Sequence, residues 1–104
     1  MPGEIDFEKA QREEARWRIL RGLDAGRPRP VSETILFRLL QDIQLPLTPQ
    51  HLRRELDYLE DRGLVRLLGQ NTPTWSAELT RHGVDVVEYT IECDPGIARP
   101  AKWD

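Results

Sequence analysis

Gln50, Arg53 and Arg54 are the residues of this chain best placed by type and spacing to do chemistry. They follow Thr48-Pro49 at the start of a helical pattern. An arginine can donate paired hydrogen bonds to guanine, and a glutamine can pair with adenine in the same two-point way. Thr48 and Gln50, with the free backbone amides of a helix start, can hold a phosphate. Arg27 and Arg29, in Gly26-Arg27-Pro28-Arg29-Pro30, are further cations suited to a nucleic-acid backbone. Arg53 and Arg54 could equally pair along the helix with Asp57 or other acids. Tyr58 could stack on a sugar or base, or pack at the rim of a core.

Catalysis is not expected. His51 and His82 lack a partner cluster at metal-ligand spacing. Cys93 has no Cys–His–acid arrangement around it. The glycines at 63, 69, 83 and 96 fall at helix ends and turns, and none forms a phosphate-cradling loop. Neither metal nor cofactor is expected.

The element that must carry Gln50 and Arg54 is a helix over 48–62. Thr48 is a good N-cap and Pro49 falls where a missing N–H does no harm. Leu52, Leu56 and Leu59 recur at helical spacing, and Gly63 supplies a left-handed stop. Leu64-Val65-Arg66-Leu67-Leu68 then reads as a strand, Gly69 to Pro73 as a loop, and Thr74 to Leu79 as a second strand with Trp75, Ala77 and Leu79 on one face. These two strands make a small wing.

Before this unit, a charged helix is predicted from Phe7 to Leu23, with Ala15, Ile19 and Leu23 facing inward and Leu20 at the edge. Trp17 points roughly the other way. It suits packing against the chain's own C-terminal segment, or contact with a second copy in which Trp103 also takes part. Gly26 to Pro30 breaks the helix and leads to an extended piece at Val31. Ser32 caps a second helix to about Gln44, with Ile35, Leu36, Leu39, Leu40 and Ile43 as its stripe and Phe37 off it. Thr80 caps a last helix from Arg81 to about Ile91, with Val84, Val87 and Ile91 inward. Leu36, Leu39, Leu40, Leu52, Leu56, Leu59, Val65 and Trp75 are expected in one core.

The resulting fold is mainly α with a small β-wing. Residues 1–6 read as a flexible N-terminus, 7–91 as the domain, and 92–104 as an extended tail. At 104 residues, 38% hydrophobic and 32% charged, the chain suits one domain with a modest core. No apolar run approaches the ~20 residues of a membrane span. The start lacks the layout of a signal peptide, and the single cysteine excludes an internal disulfide, so a cytoplasmic setting is expected. The net charge of −3 is unusual for a DNA binder. It is uneven: from Arg12 to Arg29 six arginines face three acids, while from Thr48 onward seven basic residues face ten acids.

The order helix, short strand, helix, helix, two-stranded wing, helix resembles the winged helix-turn-helix: a three-helix core, the wing and a C-terminal helix. Leu52-Arg53-Arg54-Glu55-Leu56-Asp57-Tyr58-Leu59-Glu60-Asp61-Arg62-Gly63-Leu64-Val65, the wing loop, and Glu78-Leu79-Thr80-Arg81-His82-Gly83 resemble segments of the MarR-like and ArsR-like regulators. Asp94-Pro95-Gly96-Ile97-Ala98-Arg99-Pro100 is similar to the ending of small winged-helix proteins of Mu-like prophages. The resemblance implies a dimeric regulator of phage type, with the 48–62 helix in the major groove and the wing tip on the backbone. The wing tip from Gly69 to Pro73 has no Lys or Arg, and Asp57, Glu60 and Asp61 follow in the helix. A phage assembly or DNA-packaging accessory, using the same fold to hold a protein partner, is the alternative.

Overall fold

The computed structural model describes residues 6–45 and 47–102. Its helices are α1 (Phe7–Gly26), α2 (Glu33–Asp42), α3 (Pro49–Asp61) and α4 (Arg81–Val87). Its strands are β1 (Val31–Ser32), β2 (Val65–Leu68) and β3 (Ser76–Leu79). Four side chains start the four helices, each by accepting a backbone N–H three residues on: Asp6 from Lys9, Ser32 from Ile35, Thr48 from His51 and Thr80 from Gly83. Each cap satisfies one of the amides that a helix start leaves without an internal partner.

The strands form one antiparallel sheet in the order β1-β3-β2. β2 and β3 are a hairpin, with Val65 opposite Leu79 and Leu68 opposite Ser76. The expected two-stranded wing thus gains a third strand, because Val31 and Ser32 pair with Ala77 and Ser76. Residues 74 and 75 precede β3 rather than opening it. Ala77 is fully buried at the centre of the sheet, while Trp75 and Leu79 are half-buried against the core.

α1 is the central element, touching α2, α3, α4, β1 and β3. A helix enclosed on several sides needs more than one apolar stripe. That is why Trp17, expected to point outward, is only 3% exposed, alongside the anticipated Ala15, Ile19, Leu20 and Leu23. Its ring meets Tyr89 edge-on, with centroids 6.2 Å apart. Trp17 therefore packs within its own chain and is not available as a dimer contact. Trp103, its proposed companion, lies outside the described residues.

α2 shows the opposite departure. Leu36 and Leu40 are buried, but Ile35, Leu39 and Ile43 are 53%, 42% and 43% exposed, so Leu39 does not join the core. Residues four apart drift by about 40° around a helix. The row 36–40 faces inward, and the row 35–39–43 falls on an edge, where Leu39 lies against Gly22 of α1. α2 also stops before Gln44, which takes φ +61°. α4 ends at Val87 rather than Ile91; Tyr89 is left-handed there, and Val86 with Val87 rather than Val84 with Ile91 supplies the deepest contacts. Gly83 is required at the start of α4, since a Cβ would collide with the carbonyl oxygen of Leu64.

The segment after Val87 contains no helix or strand up to residue 102, yet it is not a loose tail. Ile97 is buried in the core, and its neighbour Ala98 donates its N–H to the Glu13 carbonyl at 3.1 Å. Arg16 donates to the Gly96 carbonyl at 2.9 Å and Arg62 to that of Pro95 at 3.2 Å. Arg99 donates to the carbonyls of Val86 and Ile91, and the Tyr89 hydroxyl to that of Pro100. Gly96 takes φ +107° directly over the Tyr58 hydroxyl, a place no side chain can share.

Beneath this strap lies a buried ion pair. Glu55 is 2% exposed and accepts from Nε of Arg16 at 2.6 Å. The Arg16 guanidinium stacks 3.6 Å above the Tyr58 ring, and Arg62 donates to the Tyr58 hydroxyl. Tyr58 is thereby half-buried, with its hydroxyl held and one face of its ring covered by Arg16.

Candidate nucleic-acid interface

α3 buries Leu52, Glu55, Leu56 and Leu59 and turns Thr48, Pro49, Gln50, Arg54, Asp57 and Asp61 to solvent. Thr48 holds the His51 N–H at 3.0 Å, so its hydroxyl is already engaged as a cap. Glu60 is not turned outward: its carboxylate accepts the Leu67 N–H of β2 at 3.1 Å. Asp57 and Asp61 are the acids left on the exposed face.

Arg53 does not point outward to read bases. It makes a two-point contact with Glu33, Nε to Oε1 at 2.8 Å and an Nη to Oε2 at 2.6 Å, and a further bond to the Pro73 carbonyl at 3.0 Å. Its guanidinium also lies 4.5 Å from the centre of the Trp75 ring. Glu33 Oε2 accepts the Trp75 N–H at 2.7 Å as well. The Arg53 hydrogen bond holds Glu33 below the usual carboxylate range; partial burial opposes this and the Trp75 N–H adds to it. Glu33 opens α2, Arg53 sits on α3, and Pro73 and Trp75 precede β3. One ion pair therefore fastens the hairpin loop beside the start of α3. The partner stands twenty positions away and was not anticipated; only helix-internal pairing was.

Within the loop, the Thr72 hydroxyl bridges the carbonyls of Gly69 and Thr74 at 2.6 and 2.8 Å. Thr34, Phe37, Pro49, Gln50 and Thr74 line an open cleft of about 340 Å³ between α2, α3 and this loop. Gln50 thus stands where the helix start meets the hairpin.

Arg54 is exposed and borders a second open groove, between α1 and α3, with Glu8, Arg12, Arg16, His51, Glu55 and Tyr58. Neither Arg12 nor Arg54 enters an ion pair among the described residues. Arg12 belongs to the basic first third of the chain, and its place beside α3 was not legible from spacing alone.

Arg27 and Arg29 are not brought to this surface. Arg27 pairs with Asp24 at 3.2 Å and lies 3.8 Å from Glu88. β1 runs from Val31 opposite Ala77 to Ser32 opposite Ser76, so the preceding loop lies toward the Leu79 end of β3, away from Pro73. Arg29 is exposed there.

Cys93 is half-buried. Burial pushes its thiol up, against the weaker opposing pull of Arg99 and Arg62, and a thiol held in that state is a poor nucleophile. Among the described residues no three His, Cys, Asp or Glu side chains gather as a metal site would require. No described helix is long and apolar enough to cross a membrane. Neither protein-family models nor curated proteins gave a match to this chain.

Proposed function

We propose that this chain is a winged helix-turn-helix protein that binds double-stranded DNA, with the first half of α3 in the major groove and the β2–β3 hairpin alongside. The observation that carries this reading is the character of the exposed α3 surface. Its first half presents Gln50 and Arg54, the latter in no ion pair among the described residues, with Arg12 and Glu8 across the groove, while Glu55 and Glu60 are turned inward to Arg16 and Leu67. Arg53 serves as a positioning residue for the hairpin instead of a base contact. Thr48 caps the helix; Pro49 has no N–H and the amides of His51 and Leu52 are held by Thr48, so the Gln50 N–H is the one left at this helix start for a phosphate. The role that follows is a non-enzymatic, cytoplasmic regulator of prophage type.

Binding by this surface is modest and depends steeply on salt. Each phosphate neutralised contributes about −0.9 to the slope of log K against log salt, and only a few cations are free. Fluorescence anisotropy on a duplex selected from random sequence tests the reading. Arg54→Ala weakens binding to that duplex by about 1–3 kcal/mol and relaxes base preference beneath it. Arg12→Ala weakens all duplexes alike and lowers the salt slope by about one unit. Equal affinity of both variants and the parent at low salt would overturn the proposal. A second reading, a phage accessory that uses the same fold to hold a protein, is favoured by the hairpin tip without a cation and by Asp57 and Asp61 on the exposed face of α3.

A further inference from the structure

The exposed edge of α2 does not depend on how α3 is used. Ile35, Leu39 and the C-cap Ile43 make an aliphatic row along it that turns by about 80° from end to end and is centred on Leu39. On the opposite edge, Thr34 and Phe37 line the cleft that reaches Pro49 and Gln50. A partner seated on the aliphatic row would therefore leave the start of α3 open. Leu39 and Leu36 pack closely over Gly22 of α1, where an added Cβ would come within 3.1 Å and 3.3 Å of their side chains. Beside the row stand Arg38 and Asp42, both exposed, and neither is in an ion pair among the described residues.

We propose that the aliphatic edge of α2 is the contact between two copies of this chain, the two α2 helices lying antiparallel about a two-fold axis at Leu39. The spacing of the row favours a second copy over an unrelated partner. With Leu39 on the axis, Ile35 of one copy meets Ile43 of the other, so the row is complementary to itself as a two-fold contact demands. The same operation keeps like flanks on one side and sets Arg38 opposite Asp42 of the other copy. Their positions differ by two residues, about 3 Å along the axis at 1.5 Å per residue, well within the reach of an arginine. Opposite charges meet twice, once for each copy, and the antiparallel helices oppose their dipoles. α2 is only ten residues long. A standard interface takes roughly 800 Å² from each partner, so a short helix edge implies a weak dimer with a dissociation constant of about 10–100 µM.

Sedimentation equilibrium of the full chain from about 5 to 500 µM, a range that brackets this constant, tests the proposal. A monomer–dimer equilibrium is expected above the 12.1 kDa monomer. Ile35→Lys abolishes it. Arg38→Asp and Asp42→Arg each raise the dissociation constant about tenfold or more by facing like charges, and the two together restore it to within about threefold of the parent. Circular dichroism melts of the variants establish that the fold is kept, and these three side chains are all on the surface. A parent that stays monomeric throughout would overturn the proposal, as would a dimer indifferent to Ile35→Lys or a double charge exchange that fails to restore association.

Discussion

Replacing Glu55 by alanine should destabilise the domain more than any surface change on α3. Glu55 is 2% exposed and the Arg16 side chain 13%, with 2.6 Å between Oε1 and Nε. Removing the carboxylate strands a cation that retains only the Gly96 carbonyl and the face of Tyr58. Breaking one side of a buried pair costs about 3–5 kcal/mol, since the remaining charge stays out of water without compensation. A domain of this size has about 5–15 kcal/mol in all, and each kcal/mol lowers the melting temperature by about 4–8 °C. Glu55→Ala should therefore melt at least ~12 °C below the parent by far-UV circular dichroism. Combining Glu55→Leu with Arg16→Met removes both charges at similar volume. This variant should recover most of the loss, because such replacements are often neutral. A Glu55→Ala protein within about 3 °C of the parent, less than 1 kcal/mol, would refute the reasoning. So would a double variant no better than the single one, since the loss would then be one of packing.

Three further outcomes follow. The folded Glu33 carboxyl is held below its ordinary value of 4.5, so its stabilising contribution is present above that value and is lost as pH falls through and below it. Melting temperatures of the parent and Glu33→Gln, compared across this range, should converge toward acid; parallel curves would count against the Arg53 link. Gly96→Ala should cost about 1–3 kcal/mol in urea denaturation, from a left-handed backbone and a clash with the Tyr58 hydroxyl. The Cys93 thiol should react with a disulfide reagent more slowly than a free cysteine at neutral pH and speed up in denaturant; equal rates in both conditions would show it to be open.

Much of this architecture could be read from local chemistry. Ser32, Thr48 and Thr80 each cap the helix assigned to them, and Gly63 takes φ +76° where the 48–62 helix was expected to stop. Leu52, Leu56 and Leu59 are buried as their spacing requires. Features set by distant neighbours were harder to see. Periodicity reports which way a helix face points but not how far its cover extends, so Ile35 and Leu40 looked alike in sequence and differ in the fold. Trp17 lay off the stripe because α1 is covered on a second side, and of its two readings packing within the chain, at Tyr89, is the one the fold shows. Two residues of β1 are too few to carry an alternating pattern. At the interface the same limit applied. Arg54 is exposed as its helix position implied, whereas Arg53 was claimed by Glu33, and Arg27 and Arg29 were carried to the other end of the sheet.

The strap over Tyr58 has a bearing on how the chain is made. Arg16 leaves the ribosome early, but the carbonyl it must hold belongs to a residue eighty positions later. Synthesis at about 5–20 residues per second separates the two by roughly 4–16 s. Through that interval α1 can form as a helix, yet Ala15, Trp17 and Ile19 wait for α3, α4 and the closing segment. The nascent protein is then a set of partly assembled helices with exposed apolar surface, a state prone to chaperone capture and proteolysis. The rate at which residues 95–100 are made and emerge therefore sets when they dock, and with it the yield of folded protein, with every side chain of the domain unchanged.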